Sequence, residues 1–420
     1  MACMVFPQDF FELKDEKGNI IGYEDGFNGI VHTFTGNKGE ITDNLCTRIL
    51  LLEDGERAAI VALEVAQSPP DQVAYTKSIV SEICKVKPEN VWVHTTHQFG
   101  FMHRPKDIRQ AVVYDEICKA AVREAATGAM ESFEPALMGY GRGESFVSEN
   151  KNIENPPGVE GGPYYGRGSR LETDRTLTML RFQSVRTGKD IGFFMSHGTK
   201  PSALCTTGKT VGNRRVNTEV TGHACKLVEE EFGVPCIFCM PAAGDQYPRE
   251  TAQYFAFDKD GKWGLTDIGF DEGIRIVDRL GAELGDDAVR TAAGINCTIQ
   301  RAKVCLGAAS FDYANKAEDG FIEVTADALA LGDLAFLGFK QEMDCVTGMQ
   351  IQAASPYEVT ILVSFLNGDG KYFGHLEAYD FNNGTGTCET KKSAFAKGAA
   401  EQFVKVAIKL LEDVRKGREF

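Results

Sequence analysis

The chain has 420 residues, 43% hydrophobic, 25% charged and 10% aromatic, the composition of an ordinary globular protein. Its formal net charge of −15 opposes binding to a phosphate backbone, so nucleic acid is excluded as an expected partner. The length allows one large domain or two ordinary ones, and a core of that size needs no disulfide to hold it.

The opening residues, MACMVFPQDFFELKDEKG, carry no basic segment followed by an apolar stretch, so no signal peptide is expected. No apolar run reaches the roughly 18 residues of a membrane span. Twelve cysteines are scattered singly and do not form a spaced framework. The expected location is therefore the cytoplasm. The one C-x-x-C, Cys236 and Cys239, lies in the apolar run VPCIFCM and reads as buried strand. A structural zinc site would want a second such pair.

Strand and helix signals alternate along most of the chain, which predicts an α/β fold with mixed sheets and flanking helices. Arg48–Val65 reads as strand, Asp-Gly turn, strand. Ala74–Val86 has helical spacing, Val91–Thr95 is a strand running into HTTHQFGFMHRP, and Tyr114–Ser132 is a helix. Residues 139–170, rich in Gly, Pro, Asn and Ser, read as a long irregular loop. Strands are expected over Thr176–Phe182, Ile191–Ser196 and Val234–Met240, with a helix over Asn217–Phe232 closed by Gly233. The C-terminal third repeats the opening order: a hairpin over Ala326–Phe339 with a Gly-Asp turn, a short helix, strand Val359–Phe365, the polar loop NGDGKYFG and a helix over about 393–414. PENVWVHTTHQFG and PYEVTILVSFLNG share a proline, a polar pair, a strand and a glycine loop. An internal duplication pairing about 46–135 with about 326–415, inside one domain spanning 1–420, follows as an expectation.

The chain has seven histidines, and three of them, His94, His97 and His103, fall within ten residues just past an apolar strand. Side chains alternate faces along a strand. His94 therefore either packs against the sheet or serves the site, whereas His97 stands at the strand end, where ligands of open α/β sheets gather. His197 also directly follows an apolar strand. MPAAGDQYP brings a strand into small residues and then Asp245, and small residues let backbone approach closely. Glu342 ends another strand, and Tyr372 lies in the polar loop. Each has an ordinary structural alternative: core imidazole, helix cap, solvated carboxylate. Two imidazoles, a carboxylate and a phenol nonetheless form a set that suits Zn²⁺. Spacing alone does not assemble them. No P-loop, Rossmann glycine fingerprint or G-x-S-x-G elbow is present.

The segments in order resemble the catalytic domain of the neutral/alkaline ceramidase family. DNLCTRILLLEDGERAAIVALEV resembles its early hairpin, and NVWVHTTHQFG its strand into T-H-T-H-S. DRTLTMLRF and FFMSHGTKP resemble D-x-T-L-x-V-L-R-F and F-A-V-H-P-T-S. AAGDQYP is similar to N-x-G-D-V-S-P, GDLAFLGFKQEM to G-D-L-A-I-x-x-x-P-G-E-F, and NGDGKYFGHLEAY to N-x-Y-x-x-Y-x-x-x-x-E-E-Y. The resemblance implies one zinc per chain, held by His97, His197, Glu342 and Tyr372. It further implies hydrolysis of an amide or ester by metal-activated water. Asp245, His94 and His103 are the candidate proton carriers, and Tyr247 the candidate oxyanion donor. Arg104, Lys200, Arg214 and Arg215 are candidate grips for a substrate carboxylate, with surface solvation as the alternative. The chain departs from the family at Phe99, where the second histidine of T-H-T-H-S falls, and at Tyr247, where the serine of G-D-V-S falls. The family's signal peptide and C-terminal immunoglobulin-like domain are not seen in this sequence. Ceramide is accordingly not the expected substrate; a small molecule is, and a homo-oligomer is allowed. The rival readings are a metal-dependent isomerase or epimerase of a sugar-acid-like substrate, and a binding protein without turnover.

Overall fold

The computed structural model describes residues 1–4, 11–14, 16–17, 20–24, 43–99, 108–155, 160, 162–204, 217–260 and 262–417. It is mixed α/β, as expected. Three of its sheets have four strands and share one order.

In the first, β1 (Ala2–Met4) pairs antiparallel with β2 (Leu45–Asp54), and β2 with β3 (Glu56–Leu63). Helix α1 (Pro70–Cys84) then crosses over to β4 (Val91–Thr95), which lies parallel to β3, and α2 (Ile108–Glu131) follows. Gly55, at φ +84°, makes the turn between β2 and β3, a conformation that glycine adopts without steric cost.

The second sheet begins with β5 (Ala136–Glu144), followed by the short β6 (Ser148–Asn150). β5 pairs antiparallel with β7 (Thr176–Ser184), and β7 with β8 (Asp190–His197). Helix α3 (Glu219–Phe232) ends at Gly233 in the left-handed region and leads to β9 (Cys236–Cys239), parallel to β8. Strand β10 (Gln246–Pro248) pairs with β6, and α4 (Phe270–Ala293) completes the unit.

The third sheet runs β11 (Val304–Ala314), β12 (Phe321–Leu331), β13 (Leu334–Phe339), the two-residue β14 (Glu342–Met343), α5 (Cys345–Ala354), then β15 (Val359–Val363) parallel to β13. The short β16 (Tyr372–Phe373) pairs with β14, and α6 (Ala399–Gly417) closes the chain.

The twofold reading of strand, helix and glycine loop was drawn from the first and third of these units; the middle unit has the same topology. Its first strand occupies part of residues 139–170, which were expected to be irregular loop. The difference has a steric cause. A Cβ at Gly139 would meet Asn296 O at 2.5 Å, one at Gly141 would meet Ile295 Cγ1 at 2.9 Å, and one at Gly143 would collide with Thr291 Oγ1. Alternate glycines therefore let one face of β5 lie against the end of α4 and the turn after it.

Period-2 alternation decides the core. Ala59, Val61, Leu63, Val91 and Val93 face α1 and α2, whereas Ala58, Ile60, Ala62 and Trp92 face inward. Phe193, Met195, Cys236 and Phe238 face α3 and α4, whereas Phe194, Ile237 and Cys239 face inward. Ala335, Leu337 and Phe339 face α5 and α6, whereas Leu334, Phe336, Ile361 and Val363 face inward. The three inner faces form one common core, with Phe194 and Phe336 meeting edge to face across 5.3 Å. Cys236 and Cys239 lie on opposite sides of their sheet, buried and free, which gives the C-x-x-C a packing role. No described helix is long and apolar enough to cross a membrane.

Candidate active site

Each four-stranded sheet contains one parallel strand pair, and His97, His197, Asp245 and Glu342 lie at or beyond the C-terminal ends of those pairs. His97 follows β4 by two residues, with φ +56°, a left-handed conformation that side chains disfavour. Its ring is fixed on three sides. It stacks on Phe365 with centroids 3.9 Å apart and meets Phe99 edge-on at 4.8 Å. Its Nδ1 is 2.7 Å from the Ala66 carbonyl oxygen. A carbonyl can only accept, so Nδ1 carries a proton and donates that bond, which leaves Nε2 as the nitrogen turned towards the site. Nε2 lies 3.8 Å from Glu342 Oε1.

Glu342 is the focus of the cluster. Lys200 Nζ is 2.6 Å from its Oε1, and Tyr372 is its register partner between β14 and β16. His97, Glu342, Lys200 and Lys151 are each 3–4% exposed. Burial works to raise the Glu342 pKa, but Lys200, His97 and Lys151 outweigh it and hold the carboxyl at about 2. Burial, together with Glu342, pushes the Tyr372 phenol well above its usual range.

A second ion pair adjoins the first. Lys151 Nζ is 2.7 Å from Glu389 Oε1 and donates to Gly244 O at 2.6 Å. Burial lowers the pKa of this ammonium, but Glu389, Tyr247, Tyr372 and Glu342 raise it well above the ordinary lysine value. The Tyr247 ring lies beneath both ammonium groups, 4.7 Å from Lys151 Nζ and 5.8 Å from Lys200 Nζ. The small residues before Asp245 serve close approach. A Cβ on Gly244 would come within 2.9 Å of Glu342 Cγ, and Gly244 N donates to Met343 O at 2.6 Å.

Asp245 accepts from Asn150 Nδ2 at 2.8 Å and from Cys345 N at 2.9 Å, tying β6 to the start of α5. Burial and the neighbouring Asp344 and Glu389 raise its pKa to about 7. Asp344 accepts from both Thr347 N and the His375 ring, so it caps α5 and orients an imidazole together.

The remaining candidates lie apart from Glu342 or outside the described residues. Alternation along β8 puts His197 on the same side as Phe193 and Met195, facing the helices. Its Nε2 is 3.2 Å from Ser145 O, the charged groups acting on it are Asp174 and Asp287, and burial lowers its pKa. Its Nδ1 has no hydrogen-bond partner among the described residues. His94, opposite Ala62 in the sheet and on the side of Trp92, is fully buried; burial lowers its pKa to about 4, and neither ring nitrogen has a partner among the described residues. His103, Arg104, Arg214 and Arg215 lie outside the described residues.

Lys151, Glu389 and Phe365 belong to this site and have no counterpart among the residues expected from sequence. Lys151 sits inside the segment read as loop, and its neighbours SEN and NIEN carry no signal of a buried cation. Phe365 had one signal: it aligns with His97 in the paired segments PENVWVHTTHQFG and PYEVTILVSFLNG. A cavity of about 600 Å³ opens elsewhere, at the opposite ends of the strands between Asp54, Phe133, Phe182 and Arg301, and none of the candidate site residues lines it.

The zinc implied by the sequence resemblance can be tested on this donor set. Among the described residues no group of three or more His, Cys, Asp or Glu is close enough to hold a metal ion. His97 Nε2 and Glu342 Oε1 face one another, but that oxygen already holds Lys200, and His197 is turned to Ser145 O. As arranged, the four residues do not fit a shared ion.

No protein-family profile matches the sequence, and no curated protein does. Solved structures do match. The crystal structure of neutral ceramidase from Pseudomonas aeruginosa superposes with a TM-score of 0.65 at 13% identity, covering 90% of this chain and 70% of that one. A ceramidase complexed with C2 gives 0.66 at 13% identity, covering 99% of this chain and 74% of that one. Three like-ordered four-stranded sheets around one inner core are therefore the neutral ceramidase fold.

Proposed function

We propose that this protein is a hydrolase that cleaves an amide or ester bond of a small molecule at the His97–Glu342–Lys200 cluster. The observation that carries the reading is an imidazole held by its Nδ1 bond to Ala66 O, with Nε2 facing a buried carboxylate that is paired with an ammonium. That combination supplies a base for water and a positive charge for the oxygen of a scissile carbonyl. The likeness to ceramidases supports the hydrolase class.

In this reading His97 Nε2 takes the proton of the attacking water, a role worth about 10²–10⁴-fold in rate. Lys200 gives one of its three donors to Glu342 and offers another to the carbonyl oxygen as negative charge develops there. Tyr247, held beneath both ammonium groups, offers its phenol to the same oxygen. Burial and Lys151 lower the pKa of the Lys200 ammonium, and Glu342 opposes them and aims it. Asp245 is a positioning residue, since both its oxygens are engaged in joining β6 to α5. Zinc would be the family's way of activating water. The arrangement of His97, His197, Glu342 and Tyr372 does not favour it here, so no step is assigned to a metal. The cluster's near-complete burial favours a small substrate over a long-chain lipid such as ceramide.

The test is turnover of a panel of short N-acyl amides, esters and ceramide by purified protein, beside His97→Ala. Cleavage of a short substrate by the wild type, reduced at least about 100-fold in the variant, is expected. No cleavage anywhere in the panel, or uptake of solvent deuterium into a substrate that stays intact, would overturn the reading.

A further inference from the structure

We infer that the Lys200 ammonium takes the place of a divalent cation beside Glu342, making this centre an organic-cation site built to work without a metal.

Charge balance carries the first part of the argument. Glu342, Glu389, Lys151 and Lys200 are all shielded from water, with side-chain exposures of 5%, 1%, 5% and 4%. Two carboxylates face two ammonium groups, so the buried set is neutral. Close by, Asp344 pairs with the His375 ring, and Asp245, its carboxyl raised to about 7, accepts from Asn150 and Cys345. A dication added here would leave two uncompensated positive charges out of water, a heavy cost in a low-dielectric interior.

Geometry carries the second part. An ion shared by His97 and Glu342 would use Oε1, the carboxylate oxygen nearest the imidazole and the one Lys200 Nζ approaches at 2.6 Å. The ammonium is fixed there by a stem that is itself buried, over the faces of Phe99 and Tyr247 at 5.2 and 5.8 Å. The second imidazole lies on the other side of its sheet, bonded to Ser145 O. Lys200 thus holds the carboxylate oxygen that an ion would need, and the second imidazole of the implied set is elsewhere. The catalytic use of this ammonium rests on the hydrolase reading; its replacement of a metal does not.

The experiment therefore reads metal and stability separately from turnover. Protein purified from zinc-supplemented culture is assayed for metal by elemental analysis and melted with and without EDTA. Far less than one zinc per chain and an unmoved midpoint are expected; one zinc per chain, or a midpoint lowered by EDTA, overturns the inference. Lys200→Met, Glu342→Gln and the double variant form the second arm. Each single change leaves one buried charge unmatched and lowers the midpoint by several degrees, and the double variant recovers most of the loss. A Lys200→Met midpoint at or above that of the wild type overturns the inference. Should Lys200→Met not fold, Lys200→Arg retains the positive charge and is expected to melt above Lys200→Gln; the reverse order overturns the inference. Absence of hydrolysis would sink the proposed reaction and leave the metal result standing.

Discussion

His97 and Phe365 take the same step past their parallel strands. Each lies two residues beyond the strand end, after Thr95 and Val363, and each has φ +56°. Backbone groups beside them cross-link the two loops to the neighbouring strands: Thr96 N donates to Leu63 O, Leu366 N to Phe339 O, and Asn367 N to Val93 O. A left-handed non-glycine residue costs roughly 1–2 kcal/mol, and strain of this kind is often read as a sign of catalysis. Here the phenyl ring bears it as the imidazole does. The strain belongs to the fold, which turns each chain end sharply over the common core. The chemistry lies in the side chain alone.

The contrast can be broken most severely by making the first loop resemble the third. His97→Phe keeps a flat ring against Phe365 but removes the base, so turnover is expected to fall about 10²–10⁴-fold with a nearly unchanged melting midpoint. Kinetics and thermal melting on the same preparation check this, and retained turnover would mean that the difference between the loops carries no function. Phe365→Ala removes the platform instead. A buried phenylalanine cut to alanine costs about 3–5 kcal/mol, measurable as a lower urea midpoint, while the residual native fraction keeps a base at position 97.

A third comparison uses pH. Glu342 faces the imidazole of the first loop, and its carboxyl is held at about 2 against an ordinary value of 4.5. A depressed carboxylate contributes stability that is fully present above pH 4.5 and is lost as pH falls towards 2. Glu342→Gln should flatten that acid-side loss, seen in urea melts taken across the window; an unchanged slope would remove Glu342 as its source. The smallest effect contrasts the crossover helices of these two units. Helix α1 starts after Pro69 with no side-chain cap, whereas α5 starts at Asp344, which accepts from Thr347 N. Asp344→Ala should cost about 1–2 kcal/mol by denaturant titration.

Much of this arrangement could be read from the amino-acid order. The Asp54-Gly55 and Gly332-Asp333 turns located two hairpins, because a glycine turn between apolar runs permits little else. Gly233 marked the end of α3 for the same kind of reason. His97, Glu342 and Tyr372 were legible by their place at strand ends and by the order of family-like segments. Other features rest on distant partners. Glycine signals loop in a local reading, yet in β5 three glycines are small because the end of α4 and the turn after it press on the strand from about 150 residues away. Lys151 and Lys200 look like surface cations until Glu389 and Glu342 arrive from the far end of the chain. The turning of His197 towards Ser145 O follows from its phase in β8, which one-residue uncertainty in a strand boundary reverses.

Three sheets that each leave one face bare, and cover it only with one another, tie the fate of every third of the chain to the other two. A unit released alone would present Trp92, Phe194 or Phe336 to water, and would stick to its neighbours instead of standing free. A single cut in the connection between α2 and β5 leaves one piece with the first sheet and another with the other two, each baring apolar faces that the other piece covers.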